Sequence, residues 1–157
     1  MIDLSVAIPA HNEERFIRRC LEGILRSAQA AAASVEVVVA LNRCTDGTRA
    51  IAESLGARCV VQDARCIASV RNAAVRGTSS PKLVTIDADT WMHHGAISSV
   101  LRRLSNPEFI GGGSASPPER LSLQPLRYAA QAGHAAYRPV SLGAKDEAQG
   151  GGFLRGS

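Results

Sequence analysis

The chain has 157 residues, 45% of them hydrophobic, which is enough for one core and short for two independent ones. Its net charge of +4 comes with arginines scattered along helical patterns (Arg15, Arg18, Arg19, Arg26, Arg102, Arg103), without a basic run interleaved with aromatics, so nucleic acid is excluded as the main partner. No stretch reaches the roughly 18 apolar residues of a transmembrane segment, Met1 to Val6 enters a strand without a charged leader, and Cys20, Cys44, Cys59 and Cys66 form no C-x-x-C pair, which together predict a cytoplasmic protein with buried thiols.

Leu4, Val6 and Ile8 alternate with small residues up to Pro9, predicting a first strand that ends in a turn. Asn12 is suited to cap a following helix, Glu13 and Glu14 to complement its positive start, and Phe16, Ile17, Cys20, Leu21, Ile24, Leu25 and Ala28 share one face. Val35 to Leu41 is an apolar, β-branched run of the kind buried in parallel sheets, and Asn42 to Gly47 follows with turn and capping chemistry. A second helix is expected to run to about Leu55, ending at Gly56, before a third strand from Arg58 to Gln62. Ile67, Val70 and Ala74 predict a helix closing at Gly77, Leu83 to Ile86 a fourth strand, and Ile97, Val100, Leu101 and Leu104 another helix. After Phe109-Ile110 the texture changes to Gly111-Gly112-Gly113 and Pro117-Pro118. A less regular helical pattern follows from about Leu121 to Ala136, and Gly150 to Ser157 closes no evident element.

This alternation specifies an α/β fold, a mostly parallel sheet covered by helices on both faces, with ligands expected at the carboxyl ends of its strands. Three polar segments fall there: Pro9 to Glu14, Leu41 to Thr48 and Asp87 to Thr90. Asp87 and Asp89 flank Ala88 where the chain leaves a buried strand, and two carboxylates so close together are costly without a cation. A hard divalent ion, Mg2+ or Mn2+, would take their oxygens together with those of a phosphate and neutralise charge on a departing diphosphate. The other reading of an isolated D-x-D is a turn or helix cap. A dinucleotide site is excluded because Pro-Ala-His-Asn-Glu-Glu, and not G-x-G-x-x-G, follows the first strand; no Walker loop is present, and a pyrophosphorylase would also need glycines here. Adjacent His93 and His94 are expected to point to different sides of a helix entrance, which favours exposed or capping roles over a metal pair, and Trp91 and Met92 read as packing residues.

Taken in order, these segments resemble the inverting family 2 glycosyltransferases, which have the GT-A fold. Val6-Ala7-Ile8-Pro9-Ala10-His11-Asn12-Glu13-Glu14 is similar to that family's opening strand and P-x-[YH]-N-E segment, and Cys44-Thr45-Asp46-Gly47-Thr48 to its S-T-D-G-T turn. Arg71-Asn72-Ala73-Ala74 resembles its R-N-x-G helix, and Ile86-Asp87-Ala88-Asp89 its metal-binding D-x-D. The resemblance implies a nucleotide-sugar donor bound by Pro9, Ala10, His11, Asn12, Glu13, Asn42, Arg71, Asp87 and Ala88, with Asp87 and Asp89 meeting the metal and diphosphate. Asp46 is equally suited to capping the second helix with Thr45.

The chain departs from the family pattern in two places. Where members often carry an acidic pair that accepts from the nucleotide base, it has Leu41 and Asn42, whose amide can still hydrogen-bond a base but leaves its identity open. The family's E-D segment, which supplies the catalytic base for an unspecified acceptor, is also missing. Gly151 to Arg155 resembles the approach to it, and Asp146 and Glu147 are the nearest spare carboxylates. The expected organisation is a nucleotide-sugar-binding half over residues 1–115 and a partial acceptor-side region with a flexible end over 116–157. Two alternatives stay open: a catalytically incomplete nucleotide-sugar-binding module, and a subunit whose site is completed by a second chain or an oligomer.

Overall fold

In the computed structural model, residues 1–113 and the strand Phe153–Arg155 are described. The chain divides into two units, Met1–Asn106 and Pro107–Ser157. The first contains β1 (Leu4–Ala10), α1 (Ile17–Ala30), β2 (Val35–Leu41), α2 (Thr48–Ser54), β3 (Arg58–Val61), α3 (Ile67–Arg76), β4 (Leu83–Thr85) and α4 (Ala96–Leu104). In the second, β5 (Phe109–Gly112) pairs antiparallel with β6 (Phe153–Arg155). The C-terminal residues thus do close an element, which their glycine-rich composition concealed. The helical pattern from Leu121 to Ala136 lies outside the described residues, among which no helix is long and apolar enough to cross a membrane.

All four strands of the first unit run parallel, in the order β3-β2-β1-β4. Their alternation divides the core between two faces, because successive side chains of a strand point to opposite sides. Leu4, Val6 and Ile8 of β1 and Val37, Val39 and Leu41 of β2 pack with Ile17, Leu21 and Ile24 of α1, Ala52 of α2 and Ile97 of α4. On the other face Ala7 and Ala40 meet Val70 and Ala74 of α3, where small residues let the helix lie close. Ile17, Leu21 and Ile24 are buried, each contributing about 1.5–3 kcal/mol by the usual transfer scale, so α1 is held mainly by this stripe. Gly56 stops α2 in a left-handed conformation, φ 80°, which costs glycine little.

α1 starts later than its capping signals predict. Asn12 takes a left-handed backbone, φ 54°, residues 14–16 form a turn, and the Glu13 carbonyl accepts from the amides of Phe16 and Ile17 at 2.9 and 2.8 Å. Phe16 occupies the N-cap position, and the first helical turn carries no acidic residue. The physical reason is competition: the Asn12 and Glu14 side chains and the Glu13 amide are bound to the neighbouring β2–α2 segment.

Candidate functional site

β1, β2 and β3 all end at one level, since Ala10 pairs with Leu41 and Leu41 with Val61. The chain builds β1, β2 and β3 outward in one direction and then returns to place β4 on the opposite side of β1. That reversal makes a crevice between β1 and β4, the position at which open parallel sheets bind ligands. Thr85 pairs with Ala7, so two further residues bring Asp87 level with Pro9.

A cavity of about 410 Å³ opens here, lined by Pro9, Ala10, His11, Glu13, Asn42, Arg71, Asp87, Ala88 and Asp89. Of the residues expected at the site, only Asn12 is outside this lining: its Oδ1 accepts from the Thr45 amide at 2.8 Å. Around that bond the β1–α1 and β2–α2 loops interlock. The Glu13 amide donates to Thr48 Oγ1 at 2.7 Å, the Glu14 amide to Asp46 Oδ2 at 3.1 Å, and the Gly47 amide to Glu14 Oε2 at 2.8 Å. Asp46 Oδ1 also accepts from the Thr48 amide at 3.0 Å, a local turn bond just ahead of Gly47, which holds the N-cap position of α2. Burial acts to raise the Asp46 carboxyl, but the bonds from Thr48 and Glu14 outweigh it and hold it below its ordinary range.

The sequence reading missed Arg43, Arg65, Cys66, Ile67 and Val70, which complete the cavity wall. Arg43 and Arg65 sit in loops, where no periodicity marks them; their place directly after strands at the ligand-binding end was the available signal. Arg43 holds a left-handed backbone, φ 48°, which an L side chain adopts at a cost of about 1–2 kcal/mol. Asn42 is almost fully buried, and its Nδ2 donates to the carbonyls of Gln62 at 2.5 Å and Ala64 at 2.9 Å. Those two acceptors fix the orientation of the amide, so Oδ1 is what the side chain offers the cavity. The Asn42 carbonyl in turn lies 2.6 Å from His11 Nδ1.

Arg71 Nη2 meets Asp87 Oδ1 at 2.8 Å, with the two side chains 45% and 56% exposed. An ion pair this wet stabilises a fold by at most about 1 kcal/mol, so both partners can be exchanged for ligand groups cheaply. The acidic end carries unbalanced potential. Glu13 is raised above its ordinary value by burial and then by the charges of Asp89, Asp46 and Asp87, with His11 opposing. Burial, reinforced by Asp89 and Asp87, pushes the Cys20 thiol up to about 12.

This donor set suits a hard cation better than a transition metal bound by nitrogen or sulfur. Among the described residues no three His, Cys, Asp or Glu side chains converge as a closed cage. A Mg2+- or Mn2+-sized ion on one or two carboxylates, its remaining positions filled by phosphate and water, needs no such cage. The exposed Asp87 and Asp89 carboxylates and the potential felt at Glu13 fit that arrangement. His93 and His94 are exposed, and His93 Nδ1 accepts from the Gly95 amide at 3.3 Å. Half-buried Trp91 packs under the Arg19 guanidinium, 3.6 Å from its ring centre.

The glycosyl transferase family 2 model matches residues 5–139. Among solved structures, the mannosyltransferase PcManGT from Pyrobaculum calidifontis, in complex with GDP-Man and Mn2+, is 26% identical with a TM-score of 0.64, over 74% of this chain and 36% of that one. S. aureus TarS 1-349 in complex with UDP is 19% identical with a TM-score of 0.60, over 76% of this chain and 38% of its own. Glucosyl-3-phosphoglycerate synthase from Mycobacterium tuberculosis, with Mn2+, UDP and glucosyl-3-phosphoglycerate, is 24% identical with a TM-score of 0.58, over 80% and 49%. The chain therefore spans less than half the length of each. At the two lower identities the likeness is one of fold alone, the GT-A arrangement of a parallel sheet between helices. No curated protein sequence matches.

Proposed function

Because the chain belongs to glycosyl transferase family 2, we propose that it forms the donor-binding half of an inverting glycosyltransferase, taking a nucleotide-diphosphate sugar with a divalent cation. The observation that carries this reading is convergence: segments far apart in sequence, at Pro9–Glu13, Asn42, Arg71 and Asp87–Asp89, line one cavity at the β1–β4 crevice. The mannosyltransferase with GDP-Man and Mn2+ supports the same ligand class.

In this reading Asp87 and Asp89 hold the cation, and Ala88, buried between them, anchors the pair to the core. When bound, the cation neutralises charge on the leaving diphosphate. Arg71 exchanges its wet pairing with Asp87 for a diphosphate oxygen, a charge-assisted bond for which its planar fork is suited. Pro9, Ala10, His11 and Glu13 form the wall against the nucleoside, with Asn12 acting behind it as a tie between loops. Asn42 Oδ1 accepts an N–H from the base, a role open to uracil and guanine alike. Inversion requires an acceptor hydroxyl to attack the anomeric carbon opposite the diphosphate while a carboxylate takes its proton. The resemblance places that carboxylate in a segment this sequence lacks, and Asp146 and Glu147 lie outside the described residues.

Titration calorimetry with UDP and GDP, in Mn2+ and in EDTA, tests the proposal. Mn2+ is expected to tighten one nucleotide at least about tenfold, and Asp89→Ala to abolish that gain without lowering the melting temperature, since Asp89 is exposed. An Asp89→Ala protein with unaltered Mn2+-dependent affinity would overturn it. Donor hydrolysis with UDP- and GDP-sugars separates a transferase from a module that binds without turnover.

A further inference from the structure

Between the end of β4 and the start of α4 the chain runs as turns, joined internally by only two backbone bonds: Thr90 amide to the Asp87 carbonyl and Ala96 amide to the His93 carbonyl, each 3.0 Å. Two such bonds do not fix ten residues, yet this segment carries both carboxylates of the D-x-D. Its start is tied to β1 by the Ile86 amide on the Ala7 carbonyl at 3.2 Å and to α3 by Arg71 on Asp87, and α1 contacts it at three levels. Cys20 Sγ donates to the Asp87 carbonyl at 3.8 Å. One helical turn on, Gly23 lets the segment touch the helix backbone: a Cβ at this position would lie 3.2 Å from the Met92 nitrogen, 3.3 Å from its oxygen and 3.3 Å from Trp91 Cβ. One turn further, the buried Ser27 Oγ donates to the His94 carbonyl at 3.1 Å and accepts from the Ile97 amide at 3.0 Å. The spacing 20, 23, 27 is one face of a helix, so a single rigid element contacts the segment before, at and after its middle.

We infer that Gly23 and Ser27 are positioning residues for donor binding, docking Trp91–His94 onto α1 and thereby fixing where Asp87 and Asp89 can hold a cation. The inference rests on the proposed donor site and adds what sets its geometry. Gly23 acts by absence: any side chain there drives the Met92 backbone outward by a few tenths of an ångström, and Met92 is three residues from Asp89. Ser27 acts through two bonds that no apolar residue of its size replaces. Arg19, stacked on Trp91, clamps the same segment from the helix surface.

Trp91 is the only tryptophan, so its fluorescence reports on this segment directly. The 157-residue chain and its Gly23→Ala, Arg19→Gln and Leu25→Ala variants are titrated with GDP and UDP in Mn2+ and in EDTA, with Trp91 emission recorded throughout. Gly23→Ala is expected to lose about tenfold of the Mn2+-dependent gain, keep its EDTA affinity within about twofold, and shift Trp91 emission. Arg19→Gln should move in the same direction by less and decides the matter if Gly23→Ala does not fold. Leu25→Ala, on the exposed side of α1, should behave as wild type. Folded Gly23→Ala and Arg19→Gln proteins that retain the full Mn2+ gain overturn the inference, as does an equal loss in Mn2+ and EDTA, which marks general damage. A wild-type chain without any Mn2+ gain ends the proposed function and this inference together.

Discussion

At Asn42 a side chain that reads as a weakened base contact is also a structural one. Its two amide hydrogens are committed to the Gln62 and Ala64 carbonyls, joining the end of β2 to the residues after β3. A carboxylate cannot donate, so Asn42→Asp would set negative charge against two carbonyl oxygens in a buried position. The variant that restores the family's acidic residue is therefore expected to lose about 2–4 kcal/mol of stability and gain no nucleotide affinity. Urea unfolding measures the first and calorimetry the second; an equally stable variant with tighter UDP binding would show the amide bonds to be dispensable. The family resemblance singled out Asn42, at the position of an acidic base contact. It could not disclose which half of the amide faces the cavity, since that depends on carbonyls 20 and 22 residues away. Asn12 failed as a helix cap for a related reason: capping, turn and loop-to-loop bonds use the same side-chain oxygen, and a partner 33 residues away took it.

Elements were legible where periodicity is strong and obscure where glycine or competing polar bonds intervene. The apolar stripe of α1 and the β-branched run of β2 announce a buried helix and a parallel strand. β5 contains Gly111 and Gly112, and its partner Phe153–Arg155 lies about forty residues on, so no local pattern joins them. At the amino ends of the strands, opposite the candidate site, β2 is fastened by Glu36. Its Oε1 accepts from Ser5 Oγ, the Ser79 amide, Ser79 Oγ at 2.7 Å and the Ser80 amide at 3.3 Å, while Oε2 lies 3.7 Å from Arg58. Burial acts to raise this carboxyl, but the bonds from Ser5, Ser79 and Ser80 prevail and lower it from 4.5 to about 2. A depressed folded value means the unfolded chain binds the proton more readily, so the stabilisation is complete above pH 4.5 and is lost as pH falls toward about 2. Glu36→Gln is expected to cost about 2 kcal/mol at neutral pH, with the difference from wild type shrinking across that window. Chemical denaturation at several pH values measures it; a pH-independent difference would show that the charge is not what holds the staple.

For the molecule as a whole, the α/β class and the crowding of polar loops at strand ends followed from alternation, but the strand order did not. Nothing local states that β4 returns to the far side of β1, although that return creates the crevice and sets the acidic pair beside the opening loop. Every described residue lining the cavity lies between Pro9 and Asp89, and the described residues of both core clusters run no later than Leu101. Among the described residues, unit Met1–Asn106 thus holds both faces of the core and the lining of the candidate site. A polypeptide ending at Asn106 is expected to fold cooperatively and to bind nucleotide in Mn2+ within about threefold of the full chain, because a ligand's affinity is set by the groups that touch it. Circular dichroism melting and the same calorimetric titration decide the point. A shortened chain that melts without a transition would assign part of the folding free energy to later residues, and one that folds but binds no nucleotide would assign part of the site to them. Turnover is a separate matter, since glycosyl transfer also needs an acceptor hydroxyl and a group to take its proton, which nucleotide binding does not report.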